Sequence, residues 1–385
     1  MHSLKKVLII GVGVFMKLLN RAFPVSQDVW VFGSQDGSAY ADNSKYFFEY
    51  VVHNHTEIKA IWLTRSKNVI DELNCLGLKV HHNLSIKGVW YSVISSVAIF
   101  CTSRNDLWFV YHKKRRKIVN LWHGMPMKKI VFDYPDHSIE NNTFRDNIWS
   151  KYVAGIQHKQ VSLIISTSDF FSNILKSSFR NNNIIATGQP RTDVFFSWKK
   201  DFIKSKLGLN NEDIIVTYMP THRAYGQGEL NPLIFNNNDL AIDCFKKNRI
   251  KIIWKFHKNM IPQHLGQGIK VNQEVFKDMT HLSIDPQELL FVSDILITDY
   301  SSCYVDFLFL KRPIIFYLYD NYESDDNELY YQPEDHNIGC IAKNEDELLK
   351  MILNCEYKTE PKIEYHKYLD NNSSQRTFKE ITRLL

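Results

Sequence analysis

The sequence predicts an α/β fold built from two doubly wound parallel-sheet domains. Three observations lead there. Short runs of β-branched and aromatic residues recur along the chain, and they are apolar throughout rather than alternating, as strands covered on both faces are. Each run ends in small or polar residues and is followed by a helix-like stretch, the order of successive βαβ units. The pattern stops once near residue 190 and then restarts, and 385 residues are more than one core ordinarily serves.

In the first set, Val29-Trp30-Val31-Phe32 runs into Gly33-Ser34, Ile61-Trp62-Leu63 into Thr64-Arg65, and Val97-Ala98-Ile99-Phe100 into Cys101-Thr102-Ser103. Ile118 to Trp122 runs into His123-Gly124, Leu163 to Ile165 into Ser166-Thr167-Ser168, and Ile184-Ile185-Ala186 into Thr187-Gly188. After Gly188-Gln189-Pro190-Arg191 a polar, Lys-rich stretch extends to Asn211. The second set comprises Ile214 to Tyr218 before Pro220-Thr221 and Ile250 to Phe256 before His257. It continues with Leu289 to Thr298 before Asp299-Tyr300-Ser301-Ser302 and Pro313 to Tyr319 before Asp320. The expected division is a first α/β domain over 27–190, a linker over 191–210 and a second α/β domain over 211–365. A C-terminal helix over 366–385 is expected to pack back on the first domain.

Composition excludes several classes. Apolar residues make up 44% and charged residues 23% of the chain, near globular averages and unlike a disordered, collagenous or polytopic membrane protein. Lys and Arg number 47 against 42 Asp and Glu, a net +5, too mild a surplus to argue for nucleic acid. Cys75, Cys101, Cys244, Cys303, Cys340 and Cys355 contain no C-x-x-C pair and follow no zinc-ligand spacing, so they read as reduced thiols. No D-x-D carboxylate pair, P-loop or G-x-S-x-G turn occurs, and His53-x-His55 and His81-His82 have no nearby carboxylate ligand set; no metal or cofactor is expected.

Val7 to Leu19 is apolar except for Lys17 and is flanked by Lys5, Lys6 and Arg21. It is shorter than the ~20 residues of a membrane span, and Arg21-Ala22-Phe23-Pro24 is a poor signal-peptidase site. Residues 1–26 therefore read as an interfacial segment lying on an anionic membrane, with a helix packed on the body as the plainer alternative. Gly11-Val12-Gly13 has no third glycine, since Met16 stands there, and is not a dinucleotide fingerprint. The run Lys113-Lys114-Arg115-Arg116-Lys117 reads either as a solvated face or as a second lipid contact.

In doubly wound sheets ligands bind at the carboxyl ends of strands, so the residues directly after each apolar run are the candidates for chemistry. Thr298-Asp299-Tyr300-Ser301-Ser302 puts two hydroxyls at a predicted helix start, suited to a phosphate; an ordinary serine cap is the plainer reading. His123, before Gly124, is held on a tight turn and has the titration range of a general base. His257, with Lys258 after it, ends the corresponding run of the second domain. Two histidines, one per domain, suit a reaction in which one takes a proton from an attacking hydroxyl and the other supports developing phosphate charge. Thr221 and Arg223 follow a third run and Arg191 lies at the junction; arginine forks fit phosphate oxygens, and a surface ion pair is the alternative for Arg191.

Taken together these segments resemble the CDP-glycerol glycerophosphotransferase family, the teichoic-acid and capsule polyol-phosphate transferases. The resemblance rests on Trp30-Val31-Phe32-Gly33-Ser34, Asp42-Asn43-Ser44-Lys45-Tyr46, Trp122-His123-Gly124-x-Pro126 and Gly188-x-Pro190-Arg191-x-Asp193. It extends through Pro220-Thr221-x-Arg223, Phe256-His257 and Asp294-x-x-Ile297-Thr298-Asp299-Tyr300-Ser301-Ser302 with Asp306-Phe307. It implies a GT-B-like fold with two domains facing a cleft, the first on the acceptor side and the second holding a CDP-activated polyol, CDP-glycerol or CDP-ribitol. It implies metal-independent transfer of a polyol phosphate to a hydroxyl of a polysaccharide or polyprenyl-diphosphate-linked acceptor, with release of CMP. The implied setting is cytoplasmic, on the inner face of the cell membrane. The family's two key histidines correspond to His123 and His257, and its phosphate-binding turn to Thr298 to Ser302.

Three positions depart from the family pattern: Met125 stands where threonine is common, Lys258 where proline follows the second histidine, and His222 where another aromatic is usual. With no long extension before the first motif, the chain reads as a minimal transferase. Two other functions remain open at this point. A GT-B glycosyltransferase could use the same phosphate turn for a nucleotide sugar, and a non-enzymatic membrane-associated module of an export complex would tolerate change at His123.

Overall fold

The apolar runs assemble into two sheets in which every pairing of neighbouring strands is parallel. The computed structural model describes residues 14–108, 110–133, 160–221, 234–235, 238–256, 272–280, 282, 284–319, 329–354 and 361–385. The strands of the first sheet are β1 (Ser26–Phe32), β2 (Lys59–Thr64), β3 (Val80–His82), β4 (Ser95–Phe100), β5 (Lys117–Asn120), β6 (Leu163–Ser166) and β7 (Ile184–Ala186). Their spatial order is β3-β2-β1-β4-β5-β6-β7, with Val31 level with Ile61 on one side and Ala98 on the other. All six residues of β4 are buried, which is why its sequence does not alternate. The second sheet contains β8 (Ile214–Tyr218), β9 (Ile250–Trp254), β10 (Phe276–Asp278), β11 (Ile295–Thr298), β12 (Ile314–Tyr317) and β13 (Cys340–Ala342). Its order is β10-β9-β8-β11-β12-β13. The winding direction reverses between β1 and β4 in one sheet and between β8 and β11 in the other, and these are the switch points where ligands bind in such sheets.

The chain divides into two compact units. One contains the residues up to His123 together with Val131–Asp193 and His366–Leu385; the other contains Gly124–Ile130 and Val194–Tyr365. In the first unit the helix Ser373–Leu384 packs its Ile381 and Phe378 into the core formed by Trp30, Phe32, Val97 and Ile99. Its start is fixed by Asp193, whose carboxylate accepts the N–H groups of Ser373 (2.9 Å) and Ser374 (2.8 Å), as a capping residue would. Gly188, at φ 84°, lies so close that a Cβ there would meet the Ser373 hydroxyl at 2.5 Å. In the second unit Lys128 pairs with Leu329 in an isolated antiparallel bridge, and the Tyr330 N–H donates to the Met127 carbonyl at 2.8 Å.

Several boundaries differ from the sequence reading. The run Leu289 to Thr298 is not one strand: Pro286–Val292 is helical, and β11 begins only at Ile295. Asp285 caps that helix by accepting the Gln287 N–H at 3.1 Å, and Pro286 opens it; an unbroken apolar run carries no period to separate helix from strand. The run ending at Trp122 stops as a strand at Asn120, because Trp122 turns to a left-handed φ of 49°. The strands β3, β10 and β13 have three residues each and too little apolar sequence to stand out. The expected linker over 191–210 is instead structured, by a 3-10 turn, Pro190–Phe196, that runs into it and a helix, Lys200–Lys206.

The basic run 113–117 is split. Arg116 is buried, and its guanidinium donates to the carbonyls of Ser95 (2.8 Å), Tyr111 (2.8 Å), Ser92 (2.8 Å) and Val93 (2.6 Å) and to Asn20 Oδ1 (2.9 Å). The Lys113 ammonium binds the carbonyls of Phe23 and Val93. Lys114 and Arg115 are exposed. Through Asn20, Arg116 ties down residues 14–22, which are helical. Met16 of that helix packs with Val93 and Tyr111, while Phe15 and Leu18 remain 59% and 57% exposed. Among the described residues no helix is long and apolar enough to cross a membrane.

Candidate functional site

In the first unit the site grows from three strand ends. β1 leads to Gly33 and Ser34, β4 to Cys101, and β5 through Leu121 and Trp122 to His123. Trp122 takes a backbone conformation that side chains disfavour, and its neighbours hold it there. Asn43, fully buried, donates from Nδ2 to the carbonyls of Leu121 (3.2 Å) and Trp122 (2.8 Å). Its Oδ1 accepts the Arg191 N–H at 3.2 Å. The Arg191 guanidinium donates from Nη1 to the His123 carbonyl at 2.8 Å and to Asp42 Oδ1 at 2.7 Å. Asp42 itself has a left-handed φ of 64° and accepts the Asn43 N–H at 2.7 Å.

The imidazole of His123 leans on the Trp122 ring, with centroids 4.1 Å apart, and its Nδ1 lies 3.1 Å from the Cys101 carbonyl. A carbonyl can only accept, so Nδ1 carries the proton and Nε2 has its lone pair available for a substrate proton. Burial lowers the pKa of His123 below its usual range, as does Arg191; the Asp42 carboxylate and the Cys101 carbonyl act the other way. The neutral, proton-accepting form is thereby favoured at neutral pH. Burial pushes the Cys101 thiol up to about 12, with Asp42 and Asp106 adding to the shift, so this residue presents its carbonyl to the site and not a thiolate. Behind it, Asp106 accepts the N–H groups of Cys101 (3.1 Å), Thr102 (2.8 Å) and Asp36 (2.7 Å), which fastens the loop after β4 to the loop after β1.

The second unit presents a different chemistry at its own switch point. β11 ends in Thr298, whose hydroxyl donates to the Met219 carbonyl at 2.7 Å. Asp299 is buried and accepts both the N–H (2.7 Å) and the hydroxyl (2.5 Å) of Thr221, joining the loops after β8 and β11. Ser301 and Ser302 then lead into the helix Cys303–Leu308, and Ser302 makes no side-chain cap bond. Two hydroxyls and the first helical amides therefore gather at this strand end, a donor set that suits phosphate oxygens. The Lys128 ammonium stands 5.6 Å from the Tyr300 ring centroid. Burial pushes the Cys303 thiol up to about 11.

Of the residues singled out from sequence, His123 and Arg191 come together in the first unit, and Thr221, Thr298 and Asp299 in the second, with Ser301 and Ser302 following Asp299 in the chain. Gly124 belongs to the second unit and has φ 153°. Arg191 is not a surface ion pair: it is 7% exposed, and its Nη1 serves Asp42 and the His123 backbone. His257, Lys258 and Arg223 lie outside the described residues, as does His222. Among the described residues no three His, Cys, Asp or Glu side chains form a metal-ligand group. Asp42, Asn43, Cys101 and Asp106 were not among the candidates. Asp42 and Asn43 could have been found from their place at the start of a helix directly after the first strand-end loop.

Comparison with known proteins agrees with this architecture. Over 349 residues the chain is 27% identical to the teichoic acid poly(glycerol phosphate) polymerase of Bacillus spizizenii, covering 86% of this chain and 84% of the relative. Over 402 residues it is 24% identical to the teichoic acid glycerol-phosphate transferase of Staphylococcus aureus, covering 97% of each. A solved structure of the wall teichoic acid polymerase TagF, from a variant soaked with CDPG, superposes with a TM-score of 0.74 at 20% identity, covering 99% of this chain and 95% of that one; this is a likeness of fold. The family described as CDP-Glycerol:Poly(glycerophosphate) glycerophosphotransferase matches residues 15–383, and the chain belongs to it.

Proposed function

We propose that the protein transfers glycerol phosphate from CDP-glycerol to a hydroxyl of a polysaccharide or lipid-linked acceptor and releases CMP. The observation that carries this reading is the His123 imidazole, seated at a strand end with Nδ1 committed to a carbonyl and Nε2 left to accept a proton. His123 takes the proton of the acceptor hydroxyl as its oxygen attacks the β-phosphorus of the donor in line. The new P–O ester bond forms as the bond from that phosphorus to the bridging oxygen breaks, and CMP leaves with the bridging oxygen. The Ser301 and Ser302 hydroxyls and the amides that follow them bind diphosphate oxygens, and Thr221 and Asp299 hold that turn in shape. His257, Lys258 and Arg223 are assigned to the same diphosphate on sequence grounds. CDP-ribitol is the second donor to test, since the relatives include ribitol-phosphate polymerases as well.

The acceptor side of this reading includes a lipid surface. The helical residues 14–22 expose Phe15 and Leu18, and near them Phe23 and Trp90 are 40% and 44% exposed and in edge-on ring contact at 5.3 Å. Lys17 and Arg21 flank this apolar face. Aromatic and aliphatic side chains ringed by basic ones suit the interface of an anionic membrane, here the inner face of the cell membrane.

The test is nucleotide release from CDP-glycerol, CDP-ribitol and several nucleotide sugars in the presence of a lipid-linked acceptor. Wild-type protein is expected to release CMP from a CDP-polyol, and His123→Ala to lose about 10²–10⁴ in rate while melting like wild type. Turnover of a nucleotide sugar alone, or normal turnover by His123→Ala, would overturn the assignment.

A further inference from the structure

The turn that carries His123 is expensive to make. It needs a left-handed backbone at Trp122 and another at Asp42, each costing on the order of 1 kcal/mol or more for a residue other than glycine. Such strain persists where the surroundings over-determine it. Here three side chains from two distant segments do so. Asn43 holds the carbonyls of Leu121 and Trp122 and the Arg191 N–H, and Arg191 holds the carbonyl of His123 itself. Asp42 accepts from the same Arg191 nitrogen, in an ion pair whose side chains are 8% and 16% exposed.

We propose that Asp42, Asn43 and Arg191 are positioning residues for His123, fixing the turn that aims its Nε2 at the acceptor hydroxyl. The proposal rests on reading His123 as the base. None of the three need touch substrate: Asn43 and Arg191 act through the backbone around the imidazole, and Asp42 acts through Arg191 and the Asn43 N–H. Two also act on it electrostatically. Asp42, at the start of the helix Asp42–Asn54, is the anion facing the ring, and Arg191, from the turn Pro190–Phe196, is the cation. Cys101, on the loop after β4, presents an uncharged carbonyl and a protonated thiol. Asp106 lies behind Cys101, bonded to its N–H. The pair thus holds the turn in place while its two charges act in opposite directions on the ring.

This makes a sign test that packing alone does not pass. The imidazole titration of His123 is followed by NMR on the full chain, its signal assigned by loss in His123→Gln. It is measured for wild type, Asp42→Asn, Arg191→Gln and Arg191→Lys, alongside CMP release from CDP-glycerol. Removing the anion destabilises the imidazolium, so the midpoint moves to lower pH in Asp42→Asn; removing the cation moves it to higher pH in Arg191→Gln. Arg191→Lys keeps the charge and loses the two-way geometry, so its midpoint stays within a few tenths of a unit. All three lose roughly a hundredfold in kcat, with KM for CDP-glycerol changed by no more than about threefold. Midpoints that stay put or move together in Asp42→Asn and Arg191→Gln, or an unchanged kcat, overturn the proposal. If Arg191→Gln fails to fold, the other two decide: a midpoint lowered in Asp42→Asn and unmoved in Arg191→Lys, with kcat lost in both, supports the proposal, and any other pattern overturns it. A wild-type protein that releases no CMP while the titrations move as stated overturns the activity and leaves the positioning intact.

Discussion

The Asp106 carboxylate accepts the main-chain N–H of Cys101 at 3.1 Å, and the carbonyl of that same Cys101 receives Nδ1 of His123. The orientation of the imidazole is therefore anchored two bonds back, in a fully buried carboxyl group that also holds the amides of Thr102 and Asp36.

Replacing Asp106 with Asn sets an amide NH₂ against backbone N–H groups, and the loss should be about 1–3 kcal/mol. Burial pushes the Asp106 carboxyl up to about 6. An acid whose folded pKa lies above its unfolded value contributes stability below the unfolded value and loses it as pH rises through the folded one. Wild type should therefore exceed Asp106→Asn by more at about pH 4.5 than at about pH 8. Melting curves of both proteins at the two pH values check this, and a gap that widens with pH contradicts it.

Ser302 precedes the helix Cys303–Leu308 without using its hydroxyl as a cap. Ser302→Ala should leave stability within about 0.5 kcal/mol, because no cap bond is lost. If the hydroxyl serves a donor phosphate, KM for CDP-glycerol rises about tenfold, the loss of one hydrogen bond to a charged group. Steady-state kinetics beside a melting curve separate the two effects. A stability loss with unchanged KM would make this serine structural.

The two faces of the basic run should respond differently. Arg116 has five acceptors and is 1% exposed. Lysine, with three donors, leaves buried carbonyls unpaired, so Arg116→Lys costs at least about 2 kcal/mol. Lys114 and Arg115 are exposed, and their joint replacement by Ala should change stability by less than about 0.5 kcal/mol. Binding to phosphatidylglycerol-containing vesicles should fall about tenfold or more, given ~1 kcal/mol per basic residue near an anionic surface. Vesicle sedimentation measures this, and undiminished binding would remove the run from the membrane reading.

The fold was legible in the sequence because strands buried at every position, as β4 and β11 are, read as unbroken apolar runs (Val97 to Phe100, Ile295 to Ile297) rather than as alternating ones. The strand-end rule then picked out His123 and the Thr298 to Ser302 turn with no knowledge of contacts. What sequence did not reveal is of two kinds. Leu289 to Val292 reads as strand because apolar side chains without spacing look alike in either state; only Asp285 and Pro286 mark the helix. The Asp42–Arg191 pair spans 149 positions, and no local pattern tells a buried arginine serving a neighbouring turn from one waiting for a phosphate.

The tie between Asp193 and the helix Ser373–Leu384 bears on the order of events during synthesis. The first sheet leaves the ribosome early, but the helix that covers Trp30 and Phe32 emerges only after the whole of the second sheet. Until then the nascent chain exposes an uncapped apolar face, and domains ordinarily fold as they emerge. Completion of this half of the protein is therefore a late step, and a ribosome that stalls short of residue 373 leaves an unfinished core for chaperones to shield.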